Sequence, residues 1–483
     1  MGRARWIAAT ALLLCACGAA DDGRPNVVLV TVDTLRPDRL SAYGYTGHVT
    51  PNVDRLAAEG MLFENAFTDT PWTTPSMSSV MTGSYPTSHG FRSTNAHRLG
   101  LDQVTLAERL REHGYATAAV IGSFPLDAIY RLDQGFDHYD DHFTRPIWNY
   151  PDHEPTPLPS EFREDPHDQA MFAMVKAMSD SRRTDEEVTD AALAWLGGER
   201  AGAAPFFLWV HYFGPHSKPD WSVPEDERLA RQLSRYDPDV LENDRQVGRL
   251  LDALDAAGLA RDTLLVFHAD HAESLGEQRY VGHGLLLNDA TMRIPLLLRW
   301  PGRVEAGQRV ATLARNVDIL PTVLEAAGLP VPETLDGRSL LGLADPAAES
   351  IAYMETYYPA HQGFAKPVTL PDGSQRKIGL IRRSVRQGPW QLVRSEPHPL
   401  LDVRQESWSD LPIELLHGMW SEVLIDTRDT GPEPVDRSGE QPEIAARLRA
   451  ALDARIARDA GTAPRVELDD ESRLRLESLG YGR

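Results

Sequence analysis

Acidic and histidine side chains follow two of the strands that the sequence predicts. Asp33 comes directly after the apolar run 26–32, and the run 263–267 leads into the segment His268-Ala-Asp270-His271. Open α/β sheets bind ligands at the carboxyl ends of their strands, so position alone predicts that these side chains line a ligand site. Their carboxylate oxygens suit Ca²⁺, Mg²⁺ or Mn²⁺, whereas an imidazole nitrogen favours Mn²⁺ or Zn²⁺.

The elements that must position these residues alternate between strand and helix along the chain. Short β-branched or apolar runs predict buried strands, and longer amphipathic stretches predict the helices between them. This alternation predicts an α/β fold with a large sheet flanked by helices. The predicted strands are 26–32, 116–121, 206–210, 263–267 and 294–300, and the predicted helices are 106–113, 239–257 and 318–327.

The pattern weakens in two places. Residues 145–166 are rich in Pro, Asp and Glu and indicate a long surface loop, either near a substrate entrance or simply solvated. From about residue 346 the alternation fades, although 386–393 is typical of a strand and 441–457 of a terminal helix. We therefore expect a smaller, separate region at the C-terminus.

Composition limits the classes of protein that the chain can belong to. Its 483 residues, 42% of them hydrophobic, are enough for one large domain with a smaller one beside it. The formal net charge of −22 supplies no basic face for a nucleic-acid backbone, so we expect no nucleic-acid partner. An anionic substrate must therefore be captured by a local positive site.

The N-terminal segment predicts export from the cytoplasm. An apolar run at 6–14 follows two arginines and is too short to span a bilayer. The stretch Leu14-Cys-Ala-Cys17-Gly18 looks like a lipobox, which predicts a signal peptide over 1–17 and a lipid anchor on Cys17. The alternative is ordinary cleavage with release. The first interpretation predicts a bacterial envelope lipoprotein that faces the periplasm or the extracellular surface.

Five segments occur in an order that resembles the sulfatase family of the alkaline phosphatase superfamily. The similarity covers about residues 25–345, and no single segment would be specific by itself. The end of the chain, with SVRQGPWQLVR and LESLGYGR, is similar to the smaller C-terminal region of that family. The five segments are VTVDTLRPDRLSAYGY, WTTPSMSSVMTGSYPTSHG, FFLWVHYFGPH, LVFHADHAESLGE followed by GHG, and VDILPTVLEAAGLPVPETLDGRSLL.

The resemblance implies a fold, a domain organisation and a metal site. The implied fold is an alkaline phosphatase/sulfatase-like α/β domain over 25–345, with a large mixed sheet, and an α+β subdomain over 346–483. It also implies one divalent cation, which could be Ca²⁺, Mg²⁺, Mn²⁺ or Zn²⁺. Carried over residue by residue, the ligands are Asp33, Thr73 through its hydroxyl, Asp270 and His271.

Thr73 departs from the sulfatase pattern, which places a Cys or Ser at this nucleophile position. Cys15 and Cys17 are the only cysteines, so conversion of a cysteine to formylglycine has no substrate in the catalytic domain. Met77 also stands where sulfatases have an Arg that helps to hold formylglycine. Phosphorus-directed branches of the superfamily attack with Thr, and a bound cation would lower the pKa of such a hydroxyl. The alternatives are a decayed enzyme, or a Thr73 that only caps the following helix.

Other polar residues carry roles that the resemblance implies. His216 is a candidate to protonate the leaving group, His283 to contact a nonbridging oxygen, and Asn95 to orient the substrate. His211 and His89 are more typical of packed histidines. Gly214 stands where close relatives often have Asp, which predicts one metal rather than two.

The sequence therefore predicts an exported, metal-dependent hydrolase of sulfate, phosphate or phosphonate esters, with Thr73 as nucleophile. The expected substrate is a small molecule or a glycan or lipid ester. One alternative is an envelope phosphotransferase of the phosphoethanolamine or phosphoglycerol type. The other is a catalytically silent protein that binds an anion in the same pocket.

Overall fold

A computed structural model describes most of the first 342 residues and several segments of the C-terminal part. Asn95, the stretch 147–179 and the N-terminal residues 1–22 lie outside the described residues. The described residues are 23–94, 97–146, 180–199, 205–216, 224–342, 351–358, 368–369, 375–376, 379–398, 422–429, 431, 434–469, 472–473 and 475–476.

The strands alternate with helices over the first two thirds of the chain and then cluster near its end. The strands are β1 Asn26–Val32, β2 Met61–Phe63, β3 Ala66–Phe67, β4 Ala116–Ile121, β5 His138–Asp140, β6 Arg145–Pro146, β7 Asp180–Arg182, β8 Phe206–Tyr212, β9 Thr263–Ala269, β10 Ser274–Leu275, β11 Val281–Gly282, β12 Arg293–Ile294, β13 Leu296–Arg299, β14 Gln308–Val310, β15 Ala314–Arg315, β16 Ala352–Tyr358, β17 Val368–Thr369, β18 Gln375–Arg376, β19 Gly379–Gln387, β20 Trp390–His398 and β21 Glu422–Asp426. The α-helices are α1 Pro51–Glu59, α2 Thr73–Thr82, α3 Pro86–His89, α4 Leu106–Glu112, α5 Asp185–Ala194, α6 Glu225–Ala256, α7 Asp289–Met292, α8 Ile319–Ala326 and α9 Pro442–Ile456.

A mixed eight-stranded sheet forms the centre of the molecule, in the order β14-β2-β13-β9-β1-β8-β4-β5. Within it, β1 pairs in parallel with both β8 and β9, and β13 pairs antiparallel with both of its neighbours. The three central strands are buried along almost their whole length. Burial on both faces explains why the sequence reads as continuous apolar runs. The expected α/β fold with a large mixed sheet is confirmed.

A second, four-stranded sheet lies in the C-terminal part, in the antiparallel order β16-β19-β20-β21. Helix α9 packs on it through Ala445, Leu448 and Leu452. The same apolar cluster includes Tyr85 and Val317 from the first part of the chain, so the two sheets share packed side chains. Within the described residues, no helix has the length and apolar character needed to cross a membrane.

Two predicted strands are corrected by the structure. The expected strand 386–393 is a hairpin, because Gly388 has φ +57° and Pro389 follows it, and together they form the turn between β19 and β20. The expected strand 294–300 is divided into β12 and β13 at Pro295, which cannot donate a backbone hydrogen bond. The predicted helix 239–257 is the second half of α6, whose first half is strongly polar.

Candidate active site

Three adjacent strands of the large sheet end at the same edge and deliver the candidate residues there. Asp33 follows β1, Asp270 and His271 follow β9, and His216 lies four residues beyond the end of β8. The backbone N–H of Asp33 still donates to the carbonyl of Tyr212, at 3.0 Å, which keeps β1 and β8 paired up to the site. Residues that are far apart in sequence are therefore neighbours at this edge.

Asp33, Asp270 and His271 form a buried cluster with the composition of a metal site. One ligand atom from each lies within 4.8 Å of the others, and this is the one such group of three that the described part of the chain contains. Nε2 of His271 is 3.7 Å from Oδ1 of Asp33 and 3.5 Å from Oδ2 of Asp270. Neither of these two carboxylate oxygens has a hydrogen-bond partner. Buried oxygens without partners fit a cation.

The electrostatics of the cluster support the same conclusion. Burial, followed by the negative charges of Asp270 and Glu273, raises the pKa of Asp33 well above its ordinary value. Burial also lowers the pKa of His271 to about 4, so this imidazole is neutral and able to act as a ligand. Oδ1 of Asp270 accepts the backbone N–H groups of Thr34, at 3.2 Å, and His271, at 2.7 Å. This arrangement directs the second oxygen of Asp270 into the cluster.

Thr73 is the first residue of α2 and points into this cluster. Its Oγ1 lies 3.3 Å from Nε2 of His271 and 3.5 Å from Oδ2 of Asp33. The N-cap position of α2 belongs to Trp72, so the structure does not place Thr73 at the position of a helix cap. Met77, one turn further along α2, is fully buried in the hydrophobic core. In this structure the side chain at position 77 therefore contributes to core packing.

His283 follows β11 and stands between the metal-site cluster and His216. Its ring centroid is 4.5 Å from that of His271 and 5.1 Å from that of His216. Nδ1 of His283 lies 3.2 Å from Oε2 of Glu273, a fully buried carboxylate. Burial lowers the pKa of His283 to about 4. The two imidazoles for which the resemblance implies substrate and proton handling therefore lie side by side.

His216 is fixed by the turn that follows β8. Burial, followed by the proximity of His283, lowers the pKa of His216 well below its ordinary value. Oδ1 of Asp185 accepts the backbone N–H groups of Phe213, at 3.0 Å, and Gly214, at 3.4 Å. Asp185 thus holds the turn that presents His216.

A side chain at Gly214 would collide with neighbouring side chains. Its φ is +57°, and a Cβ atom would lie 2.7 Å from Cγ1 of Val32 and 2.8 Å from Oδ1 of Asn243. Distances below 3.0 Å require a neighbour to move, and the left-handed backbone adds strain for any side chain. The number of metal ions in the site remains a prediction.

Three remaining candidates fall away from the cluster or outside the described residues. His89 contacts Oγ of Ser79 through Nε2 at 2.9 Å and accepts the N–H of Phe91, as a packed histidine does. His211 lies within the sheet, with Nδ1 2.7 Å from Oγ1 of Thr31. Asn95 is outside the described residues, so its role stays a prediction.

Sequence reasoning missed two groups that contact the site. Glu273 was identifiable in principle, since it is an acidic residue two positions after His271. The second group is Trp72 with Thr356, whose hydroxyl accepts the indole N–H at 3.0 Å. Thr356 comes from β16 in the C-terminal sheet, and no local pattern in the sequence indicates this contact.

Comparison with known proteins places this geometry in context. The profile of the family described as Sulfatase matches residues 25–329. N-acetylgalactosamine-6-sulfatase of Mus musculus is 29% identical over 366 residues, which cover 69% of this chain and 68% of that protein. Arylsulfatase A of Homo sapiens is 29% identical over 388 residues, which cover 72% and 73%.

A solved structure with a similar fold is the phosphonate monoester hydrolase SpPMH from Silicibacter pomeroyi. It superposes with a TM-score of 0.64 at 20% identity and covers 90% of this chain and 96% of its own. At this level of identity the likeness concerns the fold alone. It extends through both the large sheet and the C-terminal part.

Proposed function

We propose, on the premise that this chain belongs to the sulfatase family, that it cleaves phosphorus or sulfur esters by direct attack of the unmodified Thr73 hydroxyl. Membership makes it a hydrolase of sulfuric or phosphoric esters. The observation that carries the finer proposal is the position of Oγ1 of Thr73, 3.3 Å from His271 and 3.5 Å from Asp33. The side chain is fully buried, so its orientation is set by packing.

The residues that would hold a divalent cation are Asp33, Asp270 and His271, with the Thr73 hydroxyl beside them. What a cation supplies in such a site is charge neutralisation and a lower pKa for an adjacent hydroxyl. Oδ1 of Asp33 and Oδ2 of Asp270 are buried and have no hydrogen-bond partner, which supports this assignment.

The reaction that these residues support has two steps. In the first, Oγ1 of Thr73 forms a bond to phosphorus or sulfur, the bond to the leaving oxygen breaks, and the alcohol departs with a proton. In the second, water cleaves the Thr73 ester. The low pKa of His216 and His283 keeps both imidazoles neutral, so each can accept a proton from an attacking group and return it to a leaving group.

Phosphorus esters are the preferred substrates in this proposal. A formylglycine diol has a second hydroxyl that expels sulfate by collapse, and a threonine ester has none. An ester on Thr73 must therefore be released by an external water molecule, or by an acceptor alcohol if the protein is a transferase. The absence of a cysteine for conversion and the buried Met77 support an unmodified Thr73.

We also propose that the protein works outside the cytoplasm, anchored by a lipid on Cys17. The support is the lipobox-like stretch 14–18 directly after the apolar run 6–14. Envelope glycans and lipids that carry phosphate, phosphonate or sulfate esters would then be within reach.

The experiment that tests the proposed reaction is a substrate panel with Thr73 variants. Wild-type protein is assayed on p-nitrophenyl phosphate, phosphodiester, phosphonate and sulfate with added Mn²⁺, Ca²⁺ or Zn²⁺. Thr73→Ala should lower turnover by at least ~10³, and Thr73→Ser should retain a substantial part of it. Mass spectrometry should find an ester on Thr73, and product analysis with added alcohols separates hydrolysis from transfer.

Thr74→Ala is the matched control for this experiment. The Thr74 hydroxyl is also buried in α2, but it donates to the carbonyl of Pro125, at 2.6 Å, and not to the metal-site cluster. The Thr74→Ala variant should have a lower melting temperature than wild type but should keep its turnover. A fully active Thr73→Ala variant would refute the nucleophile assignment.

A further inference from the structure

The C-terminal sheet makes hydrogen bonds to two segments that carry active-site residues. One segment is 69–73, which leads into Thr73, and the other is 283–289, which begins with His283. The N–H of Glu355 donates to the carbonyl of Asp69 at 2.8 Å. Nη1 of Arg382 donates to the carbonyl of Leu285 at 3.0 Å, and Nε2 of Gln391 to that of Leu287 at 2.6 Å. Strands β16, β19 and β20 therefore all contact these segments.

Thr356, in strand β16 of this sheet, contacts both segments at once. Its hydroxyl accepts the indole N–H of Trp72 at 3.0 Å and donates to the carbonyl of Gly284. Trp72 precedes Thr73, and Gly284 follows His283. One buried hydroxyl group thus links the residue before the proposed nucleophile to the residue after the proposed proton-handling histidine.

The packing around this link leaves little freedom. Gly284 has φ +94°, and a Cβ atom there would lie 2.3 Å from Cζ2 of Trp72, so the indole ring lies directly on the glycine backbone. The same ring meets His283 edge to face, with centroids 5.6 Å apart. A shift of Trp72 therefore moves both Thr73 and the support of the His283 ring.

We propose that Thr356 is a positioning residue of the active site, which sets the placement of Thr73 relative to His283 from the C-terminal sheet. The inference rests on the proposed function, because it assigns Thr73 and His283 to the reaction. The C-terminal sheet is accordingly part of the catalytic apparatus, although Thr356 itself contacts no reacting atom. A displacement of about 1 Å at this distance from the chemistry can cost about 10²-fold in rate.

The test removes the hydroxyl of Thr356 while keeping the shape of the side chain. Thr356→Val removes both hydrogen bonds, and Thr356→Ser retains them. On the p-nitrophenyl ester that wild-type protein hydrolyses fastest, Thr356→Val should lower kcat by about 10- to 100-fold with a smaller change in KM. Thr356→Ser should recover most of the lost kcat.

Thr322→Val is the control for a purely structural effect. The Thr322 hydroxyl is equally buried, donates to the carbonyl of Asp318 at 2.6 Å and accepts the N–H of Leu340 at 2.9 Å, and neither partner belongs to the site. It should lower the melting temperature as Thr356→Val does and leave kcat unchanged. Equal kcat in wild type and Thr356→Val, or equal losses in Thr356→Val and Thr322→Val, would overturn the inference.

A double-mutant cycle with Trp72→Phe tests the link itself. Phe removes the indole N–H, so the two substitutions break the same bridge and their effects on kcat should be less than additive. Fully additive effects would contradict a shared bridge. Thr73→Ala in the same assay separates the two proposals. An active Thr73→Ala refutes the proposed function, whereas an inactive Thr73→Ala with a normal Thr356→Val refutes only the positioning role.

Discussion

Nε2 of His271 lies 3.3 Å from Oγ1 of Thr73, although 198 residues separate the two along the chain. The contact joins the second residue after β9 to the first residue of α2. It places a neutral imidazole, two carboxylates and a hydroxyl group in one buried space. Each of the following predictions probes part of this arrangement or of the scaffold that supports it.

Asp270→Asn should abolish stoichiometric metal binding and hydrolysis. The amide oxygen can still accept the N–H groups of Thr34 and His271, so the fold is preserved while one charged ligand is lost. Without added metal, the variant should melt at a higher temperature than metal-free wild type, because Asp270 and Asp33 then no longer repel each other. With metal, wild type should be the more stable protein.

Metal content by mass spectrometry and melting curves with and without chelator check this prediction. Asp262→Asn, an exposed change at the opposite end of β9, serves as control and should behave as wild type. An Asp270→Asn protein that retains one metal per chain and normal turnover would show that the assigned ligand set is wrong.

Gly214→Ala should destabilise the protein by about 3 kcal/mol, through left-handed backbone strain and overpacking combined. The Cβ would press on Val32 and Asn243. Gly388→Ala separates the two effects, since Gly388 has the same φ of +57° and nothing within 4 Å of its Cβ position. That variant should lose only about 1 kcal/mol. Urea unfolding measures both free energies, and equal losses would rule out the packing argument.

Asp69 should make the free energy of unfolding depend on pH. Burial, the largest influence, raises the pKa of Asp69 from 3.8 to about 7 in the folded protein. The folded state therefore binds this proton more tightly than the unfolded state does. Its contribution to the free energy of unfolding is fully present below about pH 4 and is lost as pH rises to about 7. The stability of Asp69→Asn minus that of wild type should therefore be larger at pH 8 than at pH 5.

Urea unfolding of the two proteins at both pH values isolates the contribution of Asp69, because the other titrating groups are common to both. Asn at this position can still accept the Nδ2–H of Asn316, which lies 2.7 Å from Oδ1 of Asp69. A stability difference that does not change between the two pH values would show that Asp69 titrates normally.

Cys17 should carry the lipid anchor if the N-terminal segment is a lipoprotein signal. Cys17→Ser should release the protein from the membrane fraction or leave its signal peptide uncleaved. Cys15→Ser is the matched control and should remain anchored. Mass spectrometry of the mature N-terminus decides the matter, and an unmodified terminus beyond residue 17 would exclude the anchor.

The central strands of the large sheet could be predicted because burial leaves a direct signal in the sequence, whereas the short strands β2, β5 and β14 were missed. β1 and β4 begin and end at the predicted residues, since apolar runs bounded by polar residues define them. The hairpin within 386–393 was missed although Gly388 and Pro389 indicate a turn. The first half of α6 was missed because it is polar and contains Pro238.

Position in the fold predicted the site only where a strand delivers a residue to the edge of the sheet, whereas Thr73, His216 and His283 were candidates through the family resemblance. Asp33, Asp270 and His271 follow strands, and their convergence requires only parallel pairing. Thr356 reaches the site from a different sheet, and its contact with Trp72 spans 284 residues. A contact of this kind depends on how two sheets pack, which neither periodicity nor spacing records.

The position of β1 at the centre of the large sheet sets the order in which the molecule can be assembled. β1 is made first, yet Thr31 meets its partner His211 only after 180 further residues. Until β8 and β9 exist, the run NVVLVTV is an unpaired hydrophobic strand that must be kept from aggregating. Asp270 and His271 cannot meet Asp33 before residue 271 has been synthesised, so the proposed metal site can form only after β1, β8 and β9 are complete.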